Sequence, residues 1–164
     1  MVLRKITGLF VCALVIGSAA FATAGIPDAG ESIATMPNGG GSPLALFNLP
    51  NGGGQPFTNA QVVGNGAEVD ASIQMTVNDA FGVPVASFPS EDMWLASENG
   101  TMVPCTNGTA ADQSTDALGY TEWVNPLRAG GFDAGLCAVV INGNTVNSFA
   151  LAFNSSDITG DGVV

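Results

Sequence analysis

Between Val69 and Val77, apolar Val69, Ala71, Ile73, Met75 and Val77 alternate with polar Asp70, Ser72, Gln74 and Thr76. A strict period of two puts every apolar side chain on one face of an extended chain. A helix would scatter the same residues around its axis. The stretch therefore predicts a half-buried strand that needs a second layer to cover it. The rest of the chain agrees. Asn78-Asp79-Ala80-Phe81-Gly82 and Thr115-Asp116-Ala117-Leu118-Gly119 are turn sequences. Val83-Pro84-Val85 is extended, with Pro84 suited to an edge or a strand start. Met93-Trp94-Leu95 is a short apolar run, and Tyr120, Glu122 and Val124 follow the second turn. Leu136 to Ile141 is a continuous apolar strand and a core candidate. Asn142-Gly143 signals a hairpin, with a return strand from Thr145 to Phe153 that places Phe149, Leu151 and Phe153 on one face. No stretch after residue 24 has helical periodicity. The expected class is all-β.

Residues 25–66 are richer in Gly and Pro. Met36-Pro-Asn-Gly-Gly-Gly-Ser-Pro-Leu44 is echoed by Leu49-Pro-Asn-Gly-Gly-Gly-Gln-Pro-Phe57. These read as two glycine turns, each after a short strand such as Ser32–Met36 or Leu44–Leu49. Without a Lys or a following helix they do not make a phosphate loop. One echo is also too little for a repeat architecture. The expected organisation is a leader over 1–24, loosely organised strands and loops over 25–66, a β domain over 67–153 and a tail over 154–164.

The leader reads as a secretory signal peptide. Arg4 and Lys5 precede the apolar run Ile6–Ile16, and Ala22-Thr23-Ala24 is an A-x-A cleavage site that would make Gly25 the first mature residue. An uncleaved anchor is the alternative, weakened by Gly17, Ser18 and Thr23. Cleavage also removes two of the three cations. Arg128 then stands against 14 Asp and Glu, a net of −13. Such a chain repels phosphate backbones and anionic lipid, so nucleic acid is excluded as a partner and membrane contact is confined to the leader. The expected location is secreted, extracellular. In that setting Cys105 and Cys137, the two cysteines left after processing, are expected to form one disulfide. Metal ligation is the alternative, with no CxxC and no His to support it.

The sequence has no His, and after processing no Lys. That removes Ser-His and Cys-His nucleophile pairs, Schiff-base chemistry and His-ligated metals. Carboxylate pairs remain. Glu91 and Asp92 are adjacent, so on a strand they would face opposite ways, and Glu122 and Asp133 could meet only through the fold. No catalytic residue is assigned. Trp94, Tyr120 and Trp123 could form a sugar-stacking platform, although large aromatics on strands are also ordinary core.

The end of the chain, Asp157-Ile-Thr159-Gly-Asp161-Gly162-Val163-Val164, matches the opening of an EF-hand-type calcium loop. Asp157, Thr159 and Asp161 fall at positions 1, 3 and 5, Gly162 at 6, and the Val163 carbonyl at 7. Position 9 and the bidentate acid at 12 would lie beyond Val164, as in the front part of a longer protein. With this incomplete site, residues 154–164 are expected to be a weakly ordered tail with at most millimolar calcium affinity.

Two resemblances follow from these motifs. Val77-Asn-Asp-Ala-Phe-Gly-Val-Pro-Val85 with Thr115-Asp-Ala-Leu-Gly-Tyr-Thr121 resembles bacterial Ig-like domains of the invasin type, over roughly residues 67–153. This implies an antiparallel Greek-key β-sandwich. Asn154-Ser-Ser-Asp-Ile-Thr-Gly-Asp-Gly-Val-Val164 resembles the start of a type I dockerin repeat, with Thr159 in place of the usual Asn. Dockerins bind cohesins and attach secreted proteins to a scaffold. The resemblance implies calcium as a ligand and a cohesin-type scaffold or cell-surface protein as partner. The expected function is a non-catalytic binding or structural module presenting an attachment segment. The alternative is a carbohydrate-active protein, either a polysaccharide-binding module or part of a glycoside hydrolase.

Overall fold

A computed structural model describes residues 25–39 and 41–161. The expected leader and Gly162, Val163 and Val164 lie outside them. The described chain is all-β. Its twelve strands are β1 Ile33–Thr35, β2 Leu44–Phe47, β3 Ala60–Val62, β4 Glu68–Val69, β5 Ile73–Thr76, β6 Met93–Ser97, β7 Met102–Pro104, β8 Tyr120–Trp123, β9 Ala129–Asp133, β10 Cys137–Ile141, β11 Asn144–Phe149 and β12 Leu151–Asn154. Helix among the described residues is limited to two 3₁₀ turns, Phe57–Asn59 and Ser90–Asp92. The strands form a six-stranded sheet, β4-β3-β2-β12-β9-β7, and two three-stranded sheets, β1-β5-β8 and β11-β10-β6. The two small sheets adjoin where Asn147 Nδ2 donates to the Ala34 carbonyl. On the other side, segment 109–112 ties β6 to β8. Leu95 N–H donates to the Thr109 carbonyl and Asp112 N–H to the Glu122 carbonyl. Side chains of all three sheets meet in one core, which includes Leu44, Phe153, Ile73, Trp123, Leu95 and Val139.

The alternation over 69–77 is realised as burial. Ala71, Ile73, Met75 and Val77 are buried. It does not belong to one strand, however. β4 pairs with β3 in the large sheet, and β5 pairs with β1 and β8 in a small one. The chain changes sheets at Asp70, whose Oδ1 accepts the Ser72 N–H at 2.9 Å. Bonds from Ser72 hold that carboxyl below its usual range, with a further contribution from Asn38.

The two Asp-Ala-x-Gly turns have the same internal bonding. Asp79 Oδ1 accepts from Phe81 and Val83 N–H, and Asp116 Oδ1 from Leu118 and Tyr120 N–H. They lie side by side, since Val77 N–H donates to the Gly119 carbonyl. At the far end, Asn142 and Gly143 both have positive φ (48° and 81°), the geometry of a type I′ hairpin between β10 and β11. β10 is buried along its whole length.

Three expectations change. The return strand after the hairpin is broken at Ala150. β11 stays with β10, whereas β12 crosses to the large sheet between β2 and β9. There β12 runs parallel to β2, Leu151 opposite Leu44, so the sheets are not purely antiparallel. The physical reason is the core. Leu151 and Phe153 are buried only by leaving the first sheet, whose β11 is mostly solvated. Next, the strands of residues 25–66 share sheets with those of the β domain expected over 67–153. β2 lies inside the large sheet, β1 pairs with β5, and the boundary at 66/67 cuts the β3–β4 hairpin. Last, the tail is held down as far as Gly160. Asp157 is 1% exposed, and its carbonyl accepts the Gly131 N–H at 2.8 Å.

Candidate functional site

The described part of the tail sits in a seat made by Gly130 and Gly131 of β9. A Cβ at Gly130 would lie 2.5 Å from Gly160 Cα and 2.6 Å from the Asp157 carbonyl oxygen. Only a residue without a side chain allows this approach of two backbones. Val103 of β7 closes the seat against Gly160. Asp157 Oδ1 accepts the Gly160 N–H at 2.7 Å and the Thr159 hydroxyl at 3.1 Å, and Asp157 N–H is taken by Ser155 Oγ. Asp157 and Thr159 are therefore brought together, but as a hydrogen-bonded turn. Asp161 is exposed at the end of that turn, and Val163 lies outside the described residues. Calcium requires six to eight oxygens. The described residues hold no group of three acidic or sulfur side chains placed for a metal, and one oxygen of Asp157 already serves the turn. By themselves Asp157, Thr159 and Asp161 supply fewer oxygens than the ion needs.

The cysteines are not joined. Cys137 faces the core from the central strand β10, whereas Cys105 follows β7 at the edge of the other sheet. Cys105 Sγ donates to the Pro50 carbonyl at 3.6 Å. Burial pushes the Cys137 thiol well above its usual range, and the charges of Asp133 and Glu98 add to this. The expected disulfide between Cys105 and Cys137 is therefore not formed in the structure, where both thiols are free. Native protein should take up one alkyl group, at Cys105, and a second only after denaturation, as read by intact mass. A native mass two hydrogens below the reduced mass would restore the bond.

The three aromatics do not form a platform. Trp123 is fully buried, and its Nε1–H donates to the Thr109 carbonyl at 3.1 Å. Tyr120 is half-buried at the start of β8, with its hydroxyl donating to Glu122 Oε2 at 2.7 Å. Burial, then the bond to Glu122 and its charge, push this phenol up to about 12. Trp94 lies on β6 in another sheet, half-buried over a shallow recess with Glu91, Pro104 and Asn107. The acids are also separated. Glu122 is engaged by Tyr120 on β8. Asp133 on β9 accepts from Gly135 N–H at 2.7 Å and Asn99 Nδ2 at 3.1 Å. Burial alone would raise the Asp133 pKa. Bonds from Ser97, Gly135 and Asn99 outweigh it and keep the group ionised. No protein-family model matches the chain, and no curated protein matches it.

What the fold does assemble is a trough of about 630 Å³ across the outer face of the large sheet. Ala45 of β2 and Ala152 of β12 lie along it, with Phe132 and Leu136 on one side and Val63 on the other. Phe132, Leu136 and Val63 are exposed apolar side chains. Gln61 and Asn154 supply its polar groups. The surface can hold an apolar segment, but it offers no acid–base pair for catalysis. Sequence reading missed it because its floor comes from strands about 100 residues apart that meet only in the parallel β2–β12 pair.

Proposed function

We propose that this chain is a secreted, non-catalytic binding or structural module of the Ig-like β-sandwich class. In this reading the six-stranded sheet is one layer and the two adjoining small sheets are the other. The module holds out the segment that begins at Asp157 for attachment to a cohesin-type scaffold or cell-surface protein. The observation that carries the proposal is the seat on β9: Asp157 is buried and hydrogen-bonded to Gly131, so the start of the segment is fixed to the domain. A loose tail would tether a partner, whereas a seated one positions it. Calcium is the ligand we propose for the segment that carries Asp157, Thr159, Asp161 and Val163.

The carbohydrate reading has less support, because Trp123 is core and Trp94 and Tyr120 lie on separate sheets. The test is retention of the secreted protein on insoluble polysaccharides, with release of soluble sugar measured in parallel. Neither retention nor release is expected. Retention that disappears in a folded Trp94→Ala variant would replace this reading with a sugar-binding one.

A further inference from the structure

Gly25 lies against the Asp79 turn. Pro27 bridges Asp79, and the Asp28 N–H donates to the Asn78 carbonyl at 2.8 Å. A Cβ at Gly25 would come within 2.8 Å of both Cβ and Oδ2 of Asp79, so the Asp79 side chain takes the space that a side chain at Gly25 would need. Asp79 Oδ1 is occupied by the N–H groups of Phe81 at 2.9 Å and Val83 at 3.0 Å. Oδ2 is the oxygen turned toward Gly25. Arg128, the one cation among the described residues, packs along Gly52 instead.

The geometry points to an ion pair created by processing: cutting the Ala24–Gly25 bond places the new α-ammonium of Gly25 beside the Asp79 carboxylate. The proposal rests on the secretory reading above. Hydrolysis adds water across the amide, leaving a carboxylate on Ala24 and an ammonium on Gly25. In the precursor that nitrogen is an uncharged amide. Afterwards it carries a positive charge on an atom about 1.5 Å from the Gly25 Cα, whose side-chain position Asp79 fills. The pair pins the segment leading into β1, and β1 pairs with β5 at the core. Leader removal thereby tightens the fold that it releases.

The test uses the chain from Gly25 to Val164, generated in vitro with Gly25 as its first residue, so it does not depend on where a cell cuts. Residues 25–161 supply the core described above. Thermal unfolding at low salt is compared for the free amino terminus and the acetylated one, each in wild type and in Asp79→Asn. Asn keeps an Oδ1 acceptor for the turn and removes only the charge. Acetylation should lower the midpoint by about 1–3 °C in wild type, and by less than half of that in Asp79→Asn. High salt should shrink the difference. Equal shifts in the two backgrounds, zero included, overturn the ion pair. Amino-terminal sequencing of secreted protein tests the secretory reading separately: a start other than Gly25 removes that reading, whatever the coupling.

Discussion

Replacing Trp123 by alanine should destabilise the domain by about 3–5 kcal/mol, the range for removing a buried aromatic from a packed core. Trp123 is fully buried and sits opposite Ile73 on β5, in a core shared by all three sheets. Its indole also bonds to the Thr109 carbonyl, part of the segment that ties β6 to β8. That carbonyl keeps its bond from the Leu95 N–H, so the main cost is the cavity and not an orphaned acceptor. Urea unfolding should show the loss as a lower midpoint, and the thermal midpoint should fall by roughly 10 °C. Trp94→Ala, at a half-buried site, should cost well under half as much. If Trp123→Ala kept near-native stability, the indole would have to be a surface group and the sugar-platform reading would reopen.

Gly130→Ala should unseat the tail while leaving the domain folded. The new methyl would meet Gly160 Cα, the Asp157 carbonyl oxygen and, at 2.7 Å, Gly160 N. All of these are backbone atoms, so no side chain can swing away. Overpacking of this kind costs about 1–3 kcal/mol, and the cheapest relief is to lift residues 155–161 off β9. The diagnostic is hydrogen exchange at the Gly131 amide, whose acceptor is Asp157. Its protection should fall by about tenfold or more, since about 1.4 kcal/mol is a factor of ten. The Gly160 amide is a poorer reporter, because its bond to Asp157 Oδ1 lies within the turn and can survive undocking. Amides of β10 should change little. Unaltered exchange at Gly131 would mean that the seat is not what holds the tail, and the positioning role proposed for this module would lose its basis.

The loop at Asp157 shows how far local reading reaches. The ligand-like spacing of Asp157, Thr159 and Asp161 is visible in the sequence, but the hydrogen-bonded turn of Asp157, Thr159 and Gly160 was not expected from it. That the turn is docked is not visible, because the docking surface is two glycines on a strand some 25 residues earlier. The cysteines make the same point. Compartment and parity suggested a bond between Cys105 and Cys137, yet both thiols are free in the structure, because pairing depends on the distance and direction that tertiary packing gives two side chains.

Local chemistry alone determined the all-β class, the two Asp-Ala-x-Gly turns, the Asn142-Gly143 hairpin and the burial of Ala71, Ile73, Met75 and Val77. Each depends on side-chain period or on bonds between residues a few positions apart, which sequence order carries directly. Tertiary structure decided the sheet changes at Asp70 and Ala150, the parallel β2–β12 pair, the burial of Trp123, the apolar trough and the seat under Asp157. A period of two says that one face of a strand must be buried, but not against which partner. That choice is made by competition among all strands for the same core, and no local window contains it.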